Sequence, residues 1–117
     1  MIHVAGLIAG DSMPKVRVRY FGELRDILNA KDEEYEVKEG ATLTDLILSY
    51  IPERHEKDSK RWKETVFRMV RGEIAMNNDG TPVLRNYLIL IRGKSPSLGY
   101  MLGDGDEIVI LPPSGGG

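Results

Sequence analysis

Alternating apolar and polar positions open the regular part of the chain. One face of this segment holds Val16, Val18 and Tyr20, and the other face holds Lys15, Arg17, Arg19 and Phe21. This period of two predicts a β-strand with one buried face. A short helical turn is expected over residues 24–29. Residues 34–37 predict a second, more polar strand that pairs antiparallel with the first.

The next segment has helical spacing. The apolar positions that fall on one face of a helix are Leu43, Leu46, Ile47, Tyr50 and Ile51. Thr42 can cap the N-terminus of this helix, and Pro52 is expected to end it. One amphipathic helix of this kind can cover one face of a sheet.

Two strongly apolar strands are predicted later in the chain, over residues 87–91 and 107–111. The second follows a Gly-Asp-Gly-Asp turn signal at residues 103–106 and is apolar on both faces, so we expect it to be central in the sheet. The residues of this strand expected to face the helix are Ile108 and Ile110, and those expected to face away are Val109 and Leu111.

The order strand, strand, helix, strand, strand predicts a β-grasp domain over residues 13–111. This is an α+β fold in which a mixed sheet, with its first and last strands parallel at the centre, packs on one main helix. Because the helix shields only one face, we expect Phe21, Val109, Leu111 and half of residues 87–91 on the other. That face is expected to be partly apolar and to bind a partner.

The middle of the chain predicts an extra helix inserted at about residues 52–86. The apolar residues at helical spacing are Trp62, Val66, Phe67, Met69 and Val70. They predict a helix over residues 59–71, which Asp58 or Ser59 could cap and Gly72 could terminate. Residues 52–72 hold seven Lys or Arg and four Asp or Glu, which favours a solvated helix packed against the sheet end over a recognition helix. His55, among these charges, is expected to be exposed.

Composition narrows the classes of function. The 117 residues suffice for one modest core, and the net charge of -2 argues against a general nucleic-acid binder. No apolar run approaches the roughly 18 residues of a membrane span, so we expect a cytoplasmic protein. With no cysteine and two distant histidines, neither a disulfide nor a zinc site is expected. No catalytic constellation is present either.

The last six residues cannot extend the sheet. Pro112 and Pro113 lack the N–H groups that a ladder needs, and Ser114 then leads into three glycines, Gly115, Gly116 and Gly117. Residues 112–117 therefore predict a flexible tail that presents the terminal carboxylate, which is the candidate working group. At the other end, residues 1–12 lack the features of a signal peptide and are expected to be a loose extension.

These features together resemble the small subunit of molybdopterin synthase, the MoaD family of ubiquitin-like sulfur carriers. The resemblance lies in the central strand that runs through Pro112 and Pro113 into a Gly-Gly terminus. Residues 15–25 look like that family's opening strand and first helical turn, and residues 102–107 look like its last turn. The resemblance covers residues 14–51 and 87–117, whereas the first dozen residues and the middle depart from the family.

The resemblance implies a carrier protein rather than an enzyme, with no bound cofactor. An ATP-using activating enzyme, an adenylyltransferase of the ubiquitin-activating type, would adenylate the carboxylate of Gly117. A persulfide sulfur donor would then convert that carboxylate into a thiocarboxylate. The large subunit of molybdopterin synthase would accept the tail and use its sulfur to build the dithiolene of molybdopterin.

Physical reasons assign a part to each residue of the tail. Gly116 and Gly117 allow an extended backbone to enter a narrow active site, while Pro112 and Pro113 hold the exit direction. Ser114 and Gly115 would contact the partner along the way. The expected anchors of the docking face are Phe21 and Leu111, and Arg25, which matches the family's opening motif, is expected to form a structural ion pair.

Three other functions fit the same sequence. A ubiquitin-like modifier would be joined through Gly117 to lysines of target proteins, and it would need the same activated tail. A sulfur carrier of the thiazole pathway is less favoured, because the two prolines before the glycines look more like the molybdopterin branch. A structural β-grasp domain with an idle tail is the remaining alternative.

Overall fold

The computed structural model describes residues 13–113. The predicted N-terminal extension, residues 1–12, and the end of the tail, residues 114–117, lie outside the described residues.

Four strands form the main sheet: β1 (Lys15–Tyr20), β2 (Asp32–Glu36), β5 (Leu88–Ile91) and β6 (Glu107–Leu111). Their order across the sheet is β2-β1-β6-β5. β1 pairs antiparallel with β2 and parallel with β6, and β6 pairs antiparallel with β5. The predicted β-grasp arrangement is thereby confirmed, including the central position of the last strand.

The first two helices of the described chain lie between β1 and β5. The short helix α1 (Glu23–Leu28) follows β1, and the main helix α2 covers residues 43–54. Thr42 caps α2 as predicted, because its hydroxyl accepts the Asp45 N–H at 3.2 Å and the Asp45 carboxylate accepts the Thr42 N–H at 2.9 Å.

Pro52 does not end helix α2, so that prediction is wrong. A π-helical turn over Leu46–Tyr50 precedes the proline, and the Ile51 N–H bonds to the carbonyl of Leu46. The helix then continues as Ile51–Arg54. Proline normally collides with the carbonyl four residues before it, and the wider turn makes room for its ring.

One hydrophobic core lies between α2 and the inner face of the sheet. Its fully buried side chains from the strands are Val16, Val18, Tyr20, Ile108 and Ile110, and those from α2 are Leu43, Leu46, Ile47 and Ile51. The predicted inward positions of β1 and β6 are therefore confirmed.

A lobe of residues 59–85 closes the end of this core. Helix α3 (Ser59–Val66) buries Trp62 and Val66, as predicted. The Trp62 indole donates to the carbonyl of Ile47 at 2.9 Å, and its ring meets that of Tyr20 edge to face at 6.3 Å. The lobe therefore contributes buried side chains to the core.

The prediction of a helix as far as residue 71 is wrong. α3 ends at Val66, and β3 (Met69–Val70) pairs antiparallel with β4 (Glu73–Ile74). Gly72 therefore lies in a hairpin turn, with a positive φ of 81°, instead of terminating a helix. Short apolar runs fit both helical and extended spacing, so periodicity alone did not separate them. Asp58 takes the N-cap position of α3 without a side-chain hydrogen bond.

Candidate functional site

The outer face of the sheet carries apolar side chains beside the root of the tail. Val109 and Leu111 of β6 are partly exposed and lie opposite Leu90 and Leu88 of β5. Leu88 is 44% exposed. Phe21, which directly follows β1, is also partly exposed. The partly apolar outer surface predicted from the sequence is therefore present.

Charged residues flank this surface on the β1 side. Arg17 lies 3.7 Å from Asp32, and Arg19 lies 3.7 Å from Glu107, with all four side chains about half exposed. Exposed ion pairs of this kind contribute little to stability. They give the apolar surface a polar rim, as is usual where proteins bind one another.

The turn between β1 and α1 is fixed by Arg25. Its Nε donates to the carbonyl of Tyr20 at 2.8 Å, and its guanidinium carbon lies 4.9 Å from the centre of the Phe21 ring. The Arg25 N–H also bonds to the carbonyl of Gly22 at 3.1 Å. Among the described residues Arg25 forms no ion pair, because its head group bonds to the backbone instead. The predicted ion pair is therefore wrong.

The root of the tail rests against this turn. Pro112 is partly buried and packs on Gly22, at which a Cβ atom would come within 2.8 Å of the Pro112 Cγ. Pro113 is exposed and borders a cleft of about 320 Å³. The other residues that line the cleft are Glu23, Glu64, Thr65, Arg85, Asn86 and Tyr87. The tail thus leaves the sheet between the β1–α1 turn and the lobe.

Hydrogen bonds hold the walls of this cleft. The Tyr87 hydroxyl donates to the Glu23 carboxylate at 2.9 Å, and burial together with that carboxylate raises the pKa of Tyr87. Arg85 donates to the backbone carbonyl of Glu64 at 3.1 Å. The start of α1, the end of α3 and the segment before β5 therefore meet beside Pro113.

Among the predicted site residues, the structure brings Phe21, Leu111, Pro112 and Pro113 to one end of the central strands β1 and β6. The other predicted positions, Ser114, Gly115, Gly116 and Gly117, lie outside the described residues. Sequence analysis missed Gly22 and the cleft. A glycine between a strand and a helix was a signal for a special turn, but its contact with Pro112 has no local signature.

A separate polar cluster ties β2 to the end of α2, and it corrects the prediction that His55 is exposed. The His55 ring Nε2 lies 2.8 Å from Oε2 of Glu33, and the side chains of both residues are only 14% exposed. Oε1 of Glu33 also accepts hydrogen bonds from the Tyr20 and Tyr35 hydroxyls, each at 2.8 Å. Burial acts to raise the pKa of Glu33, but the hydrogen bonds from His55, Tyr20 and Tyr35 outweigh it and hold that pKa below its usual range.

Neither a metal site nor a membrane-spanning helix is found in the described part of the chain. Within residues 13–113, no group of three or more His, Cys, Asp or Glu side chains is placed to hold a metal ion. Over the same residues, no helix has the length and apolar character needed to cross a membrane.

Comparison with known proteins assigns the family. The ThiS family model matches residues 18–117. The chain belongs to the ThiS family. Members of the ThiS family are small ubiquitin-like carrier proteins and are not catalytic enzymes themselves.

Solved structures resemble this ThiS-family chain over most of its length. One is a Pyrococcus furiosus protein described provisionally as molybdopterin converting factor subunit 1; it is 34% identical with a TM-score of 0.61, over 86% of this chain and 98% of that one. Another is small archaeal modifier protein 1 of Methanosarcina acetivorans. It is 26% identical with a TM-score of 0.64, over 90% of this chain and 98% of that one.

A third similarity concerns the fold alone. Small archaeal modifier protein 1 of Haloferax volcanii is 20% identical with a TM-score of 0.62, over 86% of this chain and 98% of that one. A search of curated proteins found no match.

Proposed function

We propose that this chain is a sulfur carrier for molybdenum cofactor biosynthesis, acting as the small subunit of molybdopterin synthase. The observation that carries the proposal is the 34% identity to the Pyrococcus furiosus protein over 98% of that protein's length. The apolar outer face beside the tail root supports it, because a carrier subunit needs a surface by which its partner can hold the tail in place.

The proposed chemistry takes place at the carboxylate of Gly117. A carboxylate resists nucleophilic attack until one of its oxygens becomes part of a good leaving group. The activating enzyme transfers AMP from ATP to this carboxylate, with release of pyrophosphate. The terminal sulfur of a persulfide donor attacks the acyl-adenylate and AMP leaves. A thiol then cleaves the resulting sulfur–sulfur bond, which frees the thiocarboxylate and leaves a disulfide on the donor side.

The chain's own residues serve to present that group. Phe21 and Leu111 lie on the docking surface for the large subunit, and Pro112 and Pro113 restrict the backbone where the tail begins. Ser114 to Gly117 would enter the partner's active site as an extended backbone. The chain would meet its ATP-dependent activating enzyme in the cytoplasm.

A second candidate function is a ubiquitin-like protein modifier joined through Gly117 to target lysines. The similarity to small archaeal modifier protein 1 of Methanosarcina acetivorans, at 26% identity, favours it. The thiazole-pathway carrier is the third alternative. All three functions share the activated tail and differ in what receives it.

Activation of the tail is measured by mass spectrometry, and the acceptor of the activated tail separates the three functions. The protein is incubated with an activating enzyme of the ubiquitin-activating type from the same genome, ATP and a persulfide donor, and a gain of about 16 Da is expected because sulfur replaces one oxygen. The product is then mixed with a molybdopterin synthase large subunit and the pterin precursor. Formation of molybdopterin supports the proposal. Isopeptide-linked conjugates, or sulfur transfer only to a thiazole synthase, would assign one of the alternatives.

A further inference from the structure

We infer that Gly22 is a positioning residue that sets the direction in which the tail leaves the domain. The inference concerns the geometry of the tail root, and its importance for activation rests on the proposed function. Gly22 contributes no side chain, and the space that a side chain would fill is occupied by the ring of Pro112.

The backbone at Gly22 is in a conformation that other residues rarely adopt. Its φ is 62° and its ψ is -141°, near a region that is essentially confined to glycine. The turn places Gly22 at the N-cap of α1 without any capping side chain. Gly22 therefore contributes no side-chain hydrogen bond to the start of α1.

The contact with Pro112 is closer than a side chain would allow. A Cβ built on Gly22 would lie 2.8 Å from the Cγ of Pro112 and 3.4 Å and 3.6 Å from its Cβ and Cδ. Because the proline ring is closed onto the backbone, it can change its pucker but cannot swing away as a flexible side chain can. We expect a methyl group at Gly22 to push against this ring and displace the root of the tail at Pro112 and Pro113.

The β1–α1 turn that Pro112 contacts is stabilised by Arg25. Arg25 holds both ends of the turn, through its side-chain bond to the Tyr20 carbonyl and its N–H bond to the Gly22 carbonyl. The turn is thus held in place while Pro112 ends the strand that pairs with β1. The β1–α1 turn and the end of β6 together fix where the tail begins.

The chain provides a matched control for the cost of the backbone conformation. Gly40 also has a positive φ, 89°, but a Cβ on it would meet no atom within 4 Å. Gly40→Ala therefore reports backbone strain without a collision. Gly22→Ala reports strain at a positive φ together with the collision.

The first test is a double-mutant cycle with a spectroscopic reading of tail direction. The chain contains no cysteine, so Ser114→Cys and Lys94→Cys give two unique sites for spin labels in an otherwise native protein. Gly22→Ala is expected to shift the distance between the labels, whereas Gly40→Ala leaves it unchanged. In a Pro112→Ala background, where the Cγ is absent, Gly22→Ala should no longer shift the distance between the labels.

The second test measures activation. Gly22→Ala is expected to raise the KM for adenylation by about tenfold while kcat changes little, since a displaced tail reaches the same active site less often. Gly40→Ala should leave KM at the parent value. Equal label distances in the Gly22→Ala and parent proteins, or equal effects of the two glycine variants on KM, would overturn the inference. Failure of the parent protein to be adenylated would instead refute the proposed function, and the distance measurement would still decide the part played by Gly22.

Discussion

Neighbouring residues of β6 lie on opposite faces of the sheet, so their contributions to stability and to binding can be measured separately. Ile110 is fully buried against α2, whereas Leu111 is partly exposed on the outer face. Ile110→Ala is expected to lower the free energy of unfolding by about 2–5 kcal/mol, because it leaves a cavity in the core. Denaturant unfolding measures the change.

Leu111→Glu serves as the complementary variant. It should leave folding largely intact and weaken binding to the large subunit, since it places a charge within an apolar docking face. Titration calorimetry of the two subunits measures that binding. A variant of Leu111 that unfolds, beside an Ile110 variant that is nearly neutral, would show that the two faces had been assigned in reverse.

The Glu33 carboxylate makes stability depend on pH in the acid range. Its pKa in the folded protein lies below the usual value of 4.5, so its charged form stabilises the fold above about pH 4.5. This contribution is lost as the pH falls through the lowered pKa of the folded state. The hydrogen bonds from His55, Tyr20 and Tyr35 cause the lowered pKa of Glu33.

Glu33→Gln is expected to remove that dependence. At pH 7 the variant should be less stable by about 1–3 kcal/mol, because charge-assisted hydrogen bonds in a mostly buried cluster are weakened. The difference from the parent protein should shrink as the pH falls below 4.5. Thermal unfolding at a series of pH values measures it, and Glu34→Gln, at an exposed position of the same strand, is the control. A difference between the Glu33→Gln and parent proteins that stays constant down to pH 2 would contradict this account.

At the scale of elements, the lobe contributes to the core through α3. Trp62 is fully buried between Tyr20 and the Ile47 carbonyl. Trp62→Ala is expected to lower the free energy of unfolding by about 3–5 kcal/mol, while Lys60→Ala, on the exposed side of the same helix, should change it by no more than about 0.5 kcal/mol. Denaturant unfolding of both variants measures the difference.

This packing changes what deletion of the middle of the chain should do. Loop-closure entropy alone would make residues 53–84 removable, since longer loops add little closure entropy. The deletion would also remove Trp62, Val66 and Phe67, all fully buried. We therefore expect the shortened protein to lose its cooperative unfolding transition. A shortened protein that melts like the parent would show that α3 stabilises only itself.

At the scale of the whole molecule, the length of the tail is expected to be critical under the proposed function. Removing Gly117 moves the carboxylate back by about 3.5 Å of extended chain, so it should no longer reach a site shaped for the full tail. Adding one residue after Gly117 converts the reactive group into an internal amide. Mass spectrometry after incubation with the activating enzyme, ATP and a sulfur donor should show the thiocarboxylate only on the parent protein.

Thermal melting provides the control for both tail variants. Neither change should shift the melting temperature measurably, since the altered residues follow the last strand. Equal support of molybdopterin formation by all three proteins would mean that the tail is a passive extension and that the carrier function is wrong.

The sequence by itself determined the elements whose signals are local. β1 followed from alternation, the start of α2 from Thr42 and apolar spacing, and the central place of β6 from apolar residues on both faces. The Pro-Pro and Gly-Gly-Gly signals likewise predict the tail, of which residues 114–117 lie outside the described part of the chain. Each of these features depends on neighbours within a few residues, where backbone sterics and side-chain period act directly.

Only the tertiary structure decided the features that join distant parts of the chain. Pro112 meets Gly22, and His55 meets Glu33, across elements that the sequence places far apart. The same holds for the partners of Trp62, which are the Tyr20 ring and the Ile47 carbonyl. A residue's partner and burial depend on how whole elements pack, and neither composition nor spacing records which side chains that packing brings into contact.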